Sequence, residues 1–413
     1  MVGDRSQVWG EDMTYTNVNP RDPQLKQGAS SAFTGFRADI EGLRAVAIGL
    51  VFLFNAQVPF FNGGFIGVDV FFVISGFLIT GLLVREVERT GTVSLAAFYA
   101  RRARRILPSA TLVLLVTLLV CAAVLPQERV QAIALDGLAA TLQVANWWFL
   151  SFDASTLAPQ IADSPLLHYW SLAVEEQFYL LWPVTVLLVA AHARRRGRDA
   201  RRALVMAIAV ITLVSWALHA VLSVLAFQAA FFSGPTRAWQ LGAGALLALT
   251  APTVTRWAQR HLGAHAAQWL AGSGALLLLT TPLWSARWGL SITATLATAA
   301  TALIIAAGGL PGAPTVVARL LSTPVVRFAG RLSYVWYLWH VPFLVAAESM
   351  GVHSWRLLLG VELLAAVPAV ATMLLVERPF LVSTRFRATR SGLLLGALAT
   401  TVAGGVALTL ALV

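Results

Sequence analysis

Residues able to do chemistry stand out in this chain because most of their neighbours are apolar. Arg44 lies within an apolar run, and Asn55 follows eleven positions later. Eleven residues make about three helical turns, roughly 16 Å of rise, and return the side chain to nearly the same face. A guanidinium at bilayer depth is costly and marks a functional candidate. Glu41 stands three residues before Arg44, so the two can form a structural ion pair. Alternatively, Arg44 orients a partner at position 55. Asparagine there keeps hydrogen-bonding capacity but takes no proton at a useful pH, whereas histidine would serve as a base near neutrality.

A second group is Arg101-Arg102-Ala103-Arg104-Arg105. On a helix, Arg101 with Arg104, Arg102 with Arg105, and Arg101 with Arg105 share a face. Guanidinium forks suit phosphate oxygens. The plainer reading is anchoring at the cytoplasmic membrane face beside anionic lipid. Two overlapping frames leave the primary pair open.

A third group is His168-Tyr169-Trp170-Ser171-Leu172-Ala173-Val174-Glu175-Glu176-Gln177-Phe178-Tyr179. Ser164 and Pro165 suit an N-cap and first turn ahead of it. His168 and Glu175 share a face, about 10 Å apart along the axis. Adjacent acids near mid-membrane cannot both face lipid, so at least one meets a cavity or a partner such as Arg44. Weaker candidates follow. His340, in GRLSYVWYLWHVP, is a core or interfacial histidine or a cavity residue. Arg237-Ala238-Trp239-Gln240 opens a span, and Glu377-Arg378-Pro379-Phe380 reads as a helix stop with a local ion pair. No metal-ligand spacing, nucleotide loop or nucleophile elbow is present.

These groups need apolar elements to hold them. The chain has 413 residues, 58% hydrophobic and 12% charged, with mean hydropathy +0.74. Soluble domains carry about twice that charged fraction. The single cysteine, Cys121, lies in an apolar run and reads as a small hydrophobe. The net charge of +11 does not signal nucleic acid, because the basic residues cluster in short loops. Those clusters are Arg101 to Arg105, Arg194 to Arg202, Arg256 with Arg260, Arg319 with Arg327, and Arg385 to Arg390. All fall on one side when the spans are counted, as the positive-inside rule expects.

The expected fold is all-α and polytopic, with about eleven transmembrane helices. They lie near 41–60, 66–84, 108–125, 167–190, 204–227, 236–250, 266–283, 290–307, 326–347, 355–376 and 391–412. The N-terminus is then cytoplasmic and the C-terminus extracytoplasmic. Residues 1–36 read as a flexible cytoplasmic tail. The outer loop from Pro126 to Pro165 carries Glu128, Asp136, Asp153, Asp163 and Trp147-Trp148-Phe149. It is either an amphipathic segment on the membrane surface or the lining of an acceptor cleft.

Several of these runs resemble the acyltransferase-3 family of bacterial integral-membrane O-acyltransferases, over residues 36–390. The runs are GGFIGVDVFFVISGFLIT with its F-x-x-S-G-F pattern at Phe72 to Phe77, the R-x-x-R arginines, the His168 to Tyr179 signature and the Gly330 to His340 run. The family has Arg-x10-His in its first helix. Arg44 fits that pattern, but Asn55 stands where the histidine is expected, and Gln240 stands where the family often has Glu.

The resemblance implies transfer of an acyl group, most often acetyl, from cytosolic acyl-coenzyme A to a hydroxyl of an extracytoplasmic or lipid-linked glycan. The implied setting is the bacterial inner membrane, and no metal is called for. It assigns catalysis to Asn55 (the place of the histidine), Arg44, Glu175 and His168. Donor binding falls to Arg101, Arg102, Arg104, Arg105, Ser75 and Gly76, and acceptor or cavity lining to Asp69, Glu176, Tyr337 and His340. Residues 37–390 form the membrane domain of ten helices. Residues 391–413 form an eleventh, which in such proteins often leads to an extracytoplasmic esterase-like domain or partner, here after Val413. Asn55 marks this copy as impaired, whether an engineered change or a natural silent member. The rival classes are a transporter or flippase of lipid-linked saccharide and a non-catalytic binding member.

Overall fold

The computed structural model describes residues 36–152, 164–261, 263, 265–386 and 388–413. The expected tail, but for its last residue, and Asp153 and Asp163 of the outer loop lie outside the described residues. All the regular elements of the described part are helices. Its long helices are α1 (Ala38–Asn55), α2 (Ile66–Thr90), α3 (Leu95–Val124), α4 (Tyr169–Arg195), α5 (Ala200–Leu225) and α6 (Gly234–His261). They continue with α7 (Ala266–Gly308), α8 (Pro324–Ser349), α9 (Trp355–Val382) and α10 (Thr389–Leu412). Among the described residues, seven helices are long and apolar enough to cross a membrane: α2, α3, α4, α5, α7, α9 and α10. The first helix falls outside that set because Asp39, Glu41 and Arg44 interrupt its apolar sequence.

Each of the eleven expected spans overlaps a helix, the first ending early at Asn55, but two of them share α7. That element of 43 residues is broken at Gly289, whose φ of 71° and ψ of 175° are not helical. A straight helix would hold Gly274 and Ala300 about 39 Å apart. Instead the Ala300 carbonyl and Ile304 lie against the Gly274 backbone, so α7 folds back on itself as a hairpin. Glycine suits the reversal because it takes positive φ without steric cost. The fourth expected helix also begins later than the cap signal suggested. Residues 165–168 form turns, and α4 starts at Tyr169. Ser164 Oγ caps the turn by accepting from the Leu166 N–H (3.3 Å) and donates to Asp136 Oδ2 (2.6 Å). Competing partners therefore take Ser164 away from the helix end.

The loop expected outside is itself helical, over Gln127–Thr141 and Ala145–Leu150. Asp136 is buried and accepts from Trp148 Nε1 at 2.7 Å as well as from Ser164. Burial lifts its carboxyl above the ordinary aspartate range, opposed by those two hydrogen bonds and by Arg129.

Inside the bundle, α2 packs chiefly on α6, α1 on α8 and α2, and α10 on α3. The α2–α6 contact is close because a glycine stands on each side. A Cβ on Gly76 would strike the Leu241 carbonyl, and one on Gly244 would strike the Val73 carbonyl. Small residues at such crossings let membrane helices approach backbone to backbone. Outward, α5 exposes Val210, Leu213, Val214, Val221 and Val224, and α10 exposes Leu394, Leu398 and Leu412. This apolar exterior is the reverse of a soluble protein and suits lipid as solvent.

Candidate active site

A cavity of about 690 Å³ runs between α1, α2, the start of α3, α4, α6 and α8. Its size lies within the usual range for small-molecule sites. On α2 the lining runs from Val68 to Arg89, about 32 Å of helix rise, so the cavity penetrates most of the bundle. One end is rich in charge. Arg85, Arg89, Arg101 and Arg201 line it together with Glu86 and Glu88. Arg101 meets Glu86 at 3.7 Å, and Arg201 meets Glu88 at 3.1 Å.

The middle of the cavity holds Arg44, Arg102, Arg105, Ser75, Glu175, Glu176 and Tyr179. Glu175 accepts hydrogen bonds from Ser75 Oγ and Tyr179 Oη. The Arg102 guanidinium lies 4.0 Å over the Tyr179 ring. Both members of the acid pair therefore face the cavity, which resolves the question of which one avoids lipid. The arginine frames are resolved as well. Arg101, Arg102 and Arg105 line the cavity, whereas Arg104 donates to the Phe386 carbonyl at 2.6 Å. The helical rotation of about 100° per residue turns Arg104 away from Arg105.

Arg44 forms no hydrogen bond or ion pair with another described residue and projects into the cavity, where Arg105, Glu175 and Glu377 are the charges acting on it. The Glu41–Arg44 pair allowed by spacing is not made. Glu41 is instead held by Arg327 at 2.8 Å and Arg331 at 3.2 Å from α8. Two cations from the adjacent helix outcompete a single one on the same helix.

The far end carries no charged side chain. Its outermost lining residues are Val68, Ser171 and Tyr337. Beyond Tyr337 lies a polar knot. Asn55 Nδ2 stands 3.1 Å from His340 Nε2. His340 Nδ1 is 2.5 Å from the Tyr337 carbonyl, and a carbonyl only accepts, so Nδ1 carries the proton. In the neutral ring, Nε2 then offers a lone pair to the Asn55 amide. Tyr337 Oη pairs with Ser171 Oγ at 2.8 Å and donates to the His168 carbonyl at 3.2 Å. The His168 ring lies 5.3 Å from the His340 ring, centre to centre. The structure thus brings Asn55, His340, His168 and Tyr337 together. Arg44 is not among them: it lies three turns down α1, and the side chain that orients Asn55 is His340.

Like Arg104, the expected site residues Asp69 and Gly76 lie elsewhere. Asp69 does not line the cavity. It is fully buried, meets Arg237 Nη1 at 3.1 Å and accepts from Gln240 Nε2 at 3.0 Å. Arg237 also donates to the Phe231 carbonyl at 3.0 Å, so this group ties α2 to α6. A glutamate in place of Gln240 would set two carboxylates against one arginine. Gly76 is spent on the α2–α6 crossing rather than on the cavity wall. Ser171 and Tyr179 were not assigned to the site from sequence, and Glu377 was read only as a helix stop with a local ion pair. Ser171 and Tyr179 share the face of Glu175 at helical spacing, a signal that was available. Glu377 ends a π-helical turn, Met373–Glu377, which sequence periodicity does not disclose. Among the described residues, no cluster of His, Cys, Asp and Glu could hold a metal ion.

The acyltransferase-3 family profile, described as an acyltransferase domain, matches residues 37–378. The O-acetyltransferase OatA of Staphylococcus aureus strain NCTC 8325 is 31% identical over 320 residues, 75% of this chain and 51% of that protein. OatA of strain COL matches to the same extent. The chain spans about half the length of these curated relatives. No solved structure matches it.

Proposed function

The chain belongs to the acyltransferase-3 family, and from that premise we propose that it moves an acyl group, acetyl in the simplest case, from cytosolic acyl-coenzyme A to a glycan hydroxyl outside or within the membrane. The observation that carries the reading is the cavity: arginine-rich at one end, uncharged and mostly apolar at the other, and ending one helical turn from the Asn55–His340 pair. The protein is read as an inner-membrane bundle of eleven crossings, N-terminus inside. That orientation puts the arginine end of the cavity in the cytoplasm, where the donor is.

The division of labour follows from charge. Arg85, Arg89, Arg101, Arg102 and Arg105 would hold the donor phosphates as charge-assisted hydrogen-bond donors. Arg44, a cation without a protein counter-ion in contact, would meet a donor oxygen deeper in the cavity. Ser75 and Tyr179 keep Glu175 in place. At the far end, the acceptor hydroxyl attacks the thioester carbonyl. The carbon–sulfur bond breaks, an ester forms, and the hydroxyl proton ends on the coenzyme thiol. A base near the hydroxyl assists this step, and Asn55 cannot be that base. Transfer by this chain is therefore expected to be weak.

The test is transfer from labelled acetyl-coenzyme A in membranes carrying this chain or its Asn55→His variant. A general base contributes about 10²–10⁴-fold, so the variant is expected to be faster by a factor in that range. Equal rates would remove position 55 from the mechanism. Movement of lipid-linked saccharide with no thioester consumed by either form would replace the reading with transport.

A further inference from the structure

We propose that Tyr337 is the end wall of the donor chamber and restricts the acyl group to a short chain. This rests on the donor-cavity reading above. Tyr337 is the outermost α8 residue that lines the cavity; Val68, Phe71, Phe72, Ser171 and Leu172 line the same end, and Phe71 and Ser171 touch Tyr337 directly. Four of these five are apolar, the Ser171 hydroxyl is taken up by Tyr337, and the arginines line the middle and the opposite end. Hydrocarbon therefore belongs at this end, and phosphate at the other.

The wall is fixed in place. Its hydroxyl is held by Ser171 at 2.8 Å and by the His168 carbonyl at 3.2 Å. Its ring meets Phe71 edge-on, 6.5 Å between centres. Directly behind it lies the His340 ring at 4.9 Å, with Asn55 beyond. A thioester with a short acyl group reaches the wall with its carbonyl on the arginine side of Tyr337. Each added methylene either displaces the ring or pulls the carbonyl back toward the arginines. Chain length is thus set by one side chain, whose removal would open the chamber onto the His340 ring.

The test is binding, which does not depend on turnover. Dissociation constants of coenzyme A, acetyl-coenzyme A and hexanoyl-coenzyme A are measured on the purified full chain, its Tyr337→Ala and Tyr337→Phe variants, and Phe71→Ala. In the unaltered chain, hexanoyl is expected to bind no tighter than acetyl. In Tyr337→Ala the hexanoyl-to-acetyl preference should rise by about tenfold or more, since each buried methylene is worth roughly fourfold in affinity. Tyr337→Phe keeps the ring and should keep the original ratio. Phe71→Ala opens the same wall from α2 and should shift the ratio in the same direction, so the proposal stays testable if Tyr337→Ala does not fold. An unmoved ratio in protein that still binds coenzyme A overturns the end wall alone. Absence of binding by any coenzyme A form overturns the donor cavity and the end wall with it.

Discussion

At the scale of single residues, the informative feature is how each buried charge is compensated. Glu41 has two arginines, Asp69 has one arginine and one amide, and Arg44 has no partner in contact among the described residues. The first two are structural and the third is left available. The energetic consequence is testable at Asp69. Asp69→Asn strands the Arg237 cation, which is fully buried, and breaking such a pair costs about 3–5 kcal/mol. The expected result is a clear fall in melting temperature in detergent. Replacing both members with apolar residues, Asp69→Leu with Arg237→Met, should recover most of it, because the cost lies in the unpaired charge. A double variant as unstable as the single one would show that the pair itself supplies stability.

Elements act through their crossings. The α2–α6 contact puts Ser75 on the cavity face of α2, because its neighbour Gly76 lets α6 approach on the other side. Gly76→Ala forces the Leu241 backbone away, and overpacking of this kind costs about 1–3 kcal/mol. The helix would also rotate or shift, so Ser75 would lose its hydrogen bond to Glu175. The prediction is lower thermal stability together with weaker coenzyme A binding. Gly244→Ala touches the same crossing from α6, so the two substitutions together should cost less than the sum of each alone. Strict additivity would mean that the two glycines act at separate contacts. The π-helical turn at Met373–Glu377 is a second case. It inserts an extra residue into the turn of α9, and such turns concentrate at functional sites. Here it ends at the acid whose charge acts on Arg44 and Arg105.

For the whole molecule the question is which face is inside. The arginine-rich loop around residues 194–202 and the exposed turn at Met350 should lie on opposite sides. In a Cys121→Ala background, a cysteine introduced by Met350→Cys is expected to react with a membrane-impermeant thiol reagent in intact cells. One introduced by Arg196→Cys should react only after the membrane is opened. The reverse pattern would invert the orientation and put the arginine end of the cavity outside, away from any cytosolic donor.

Much of this was legible in the sequence. Hydropathy located the helices, and an arginine and two acids in apolar runs announced a polar interior, because lipid offers such groups no partner. The motifs pointed to the family that the comparison then gave. The sequence also identified Asn55 as a residue that cannot take a proton. Tertiary structure decided the rest. Which partner a residue meets across the bundle depends on the rotation and depth of helices far apart in the chain. Spacing therefore could not tell that His340, 285 positions away, orients Asn55, or that α8 claims Glu41. Nor could it tell that Asp69 and Gly76 serve the α2–α6 contact while Arg104 leaves the cavity to its neighbours. Local periodicity sets which residues share a face, and only packing sets what that face meets.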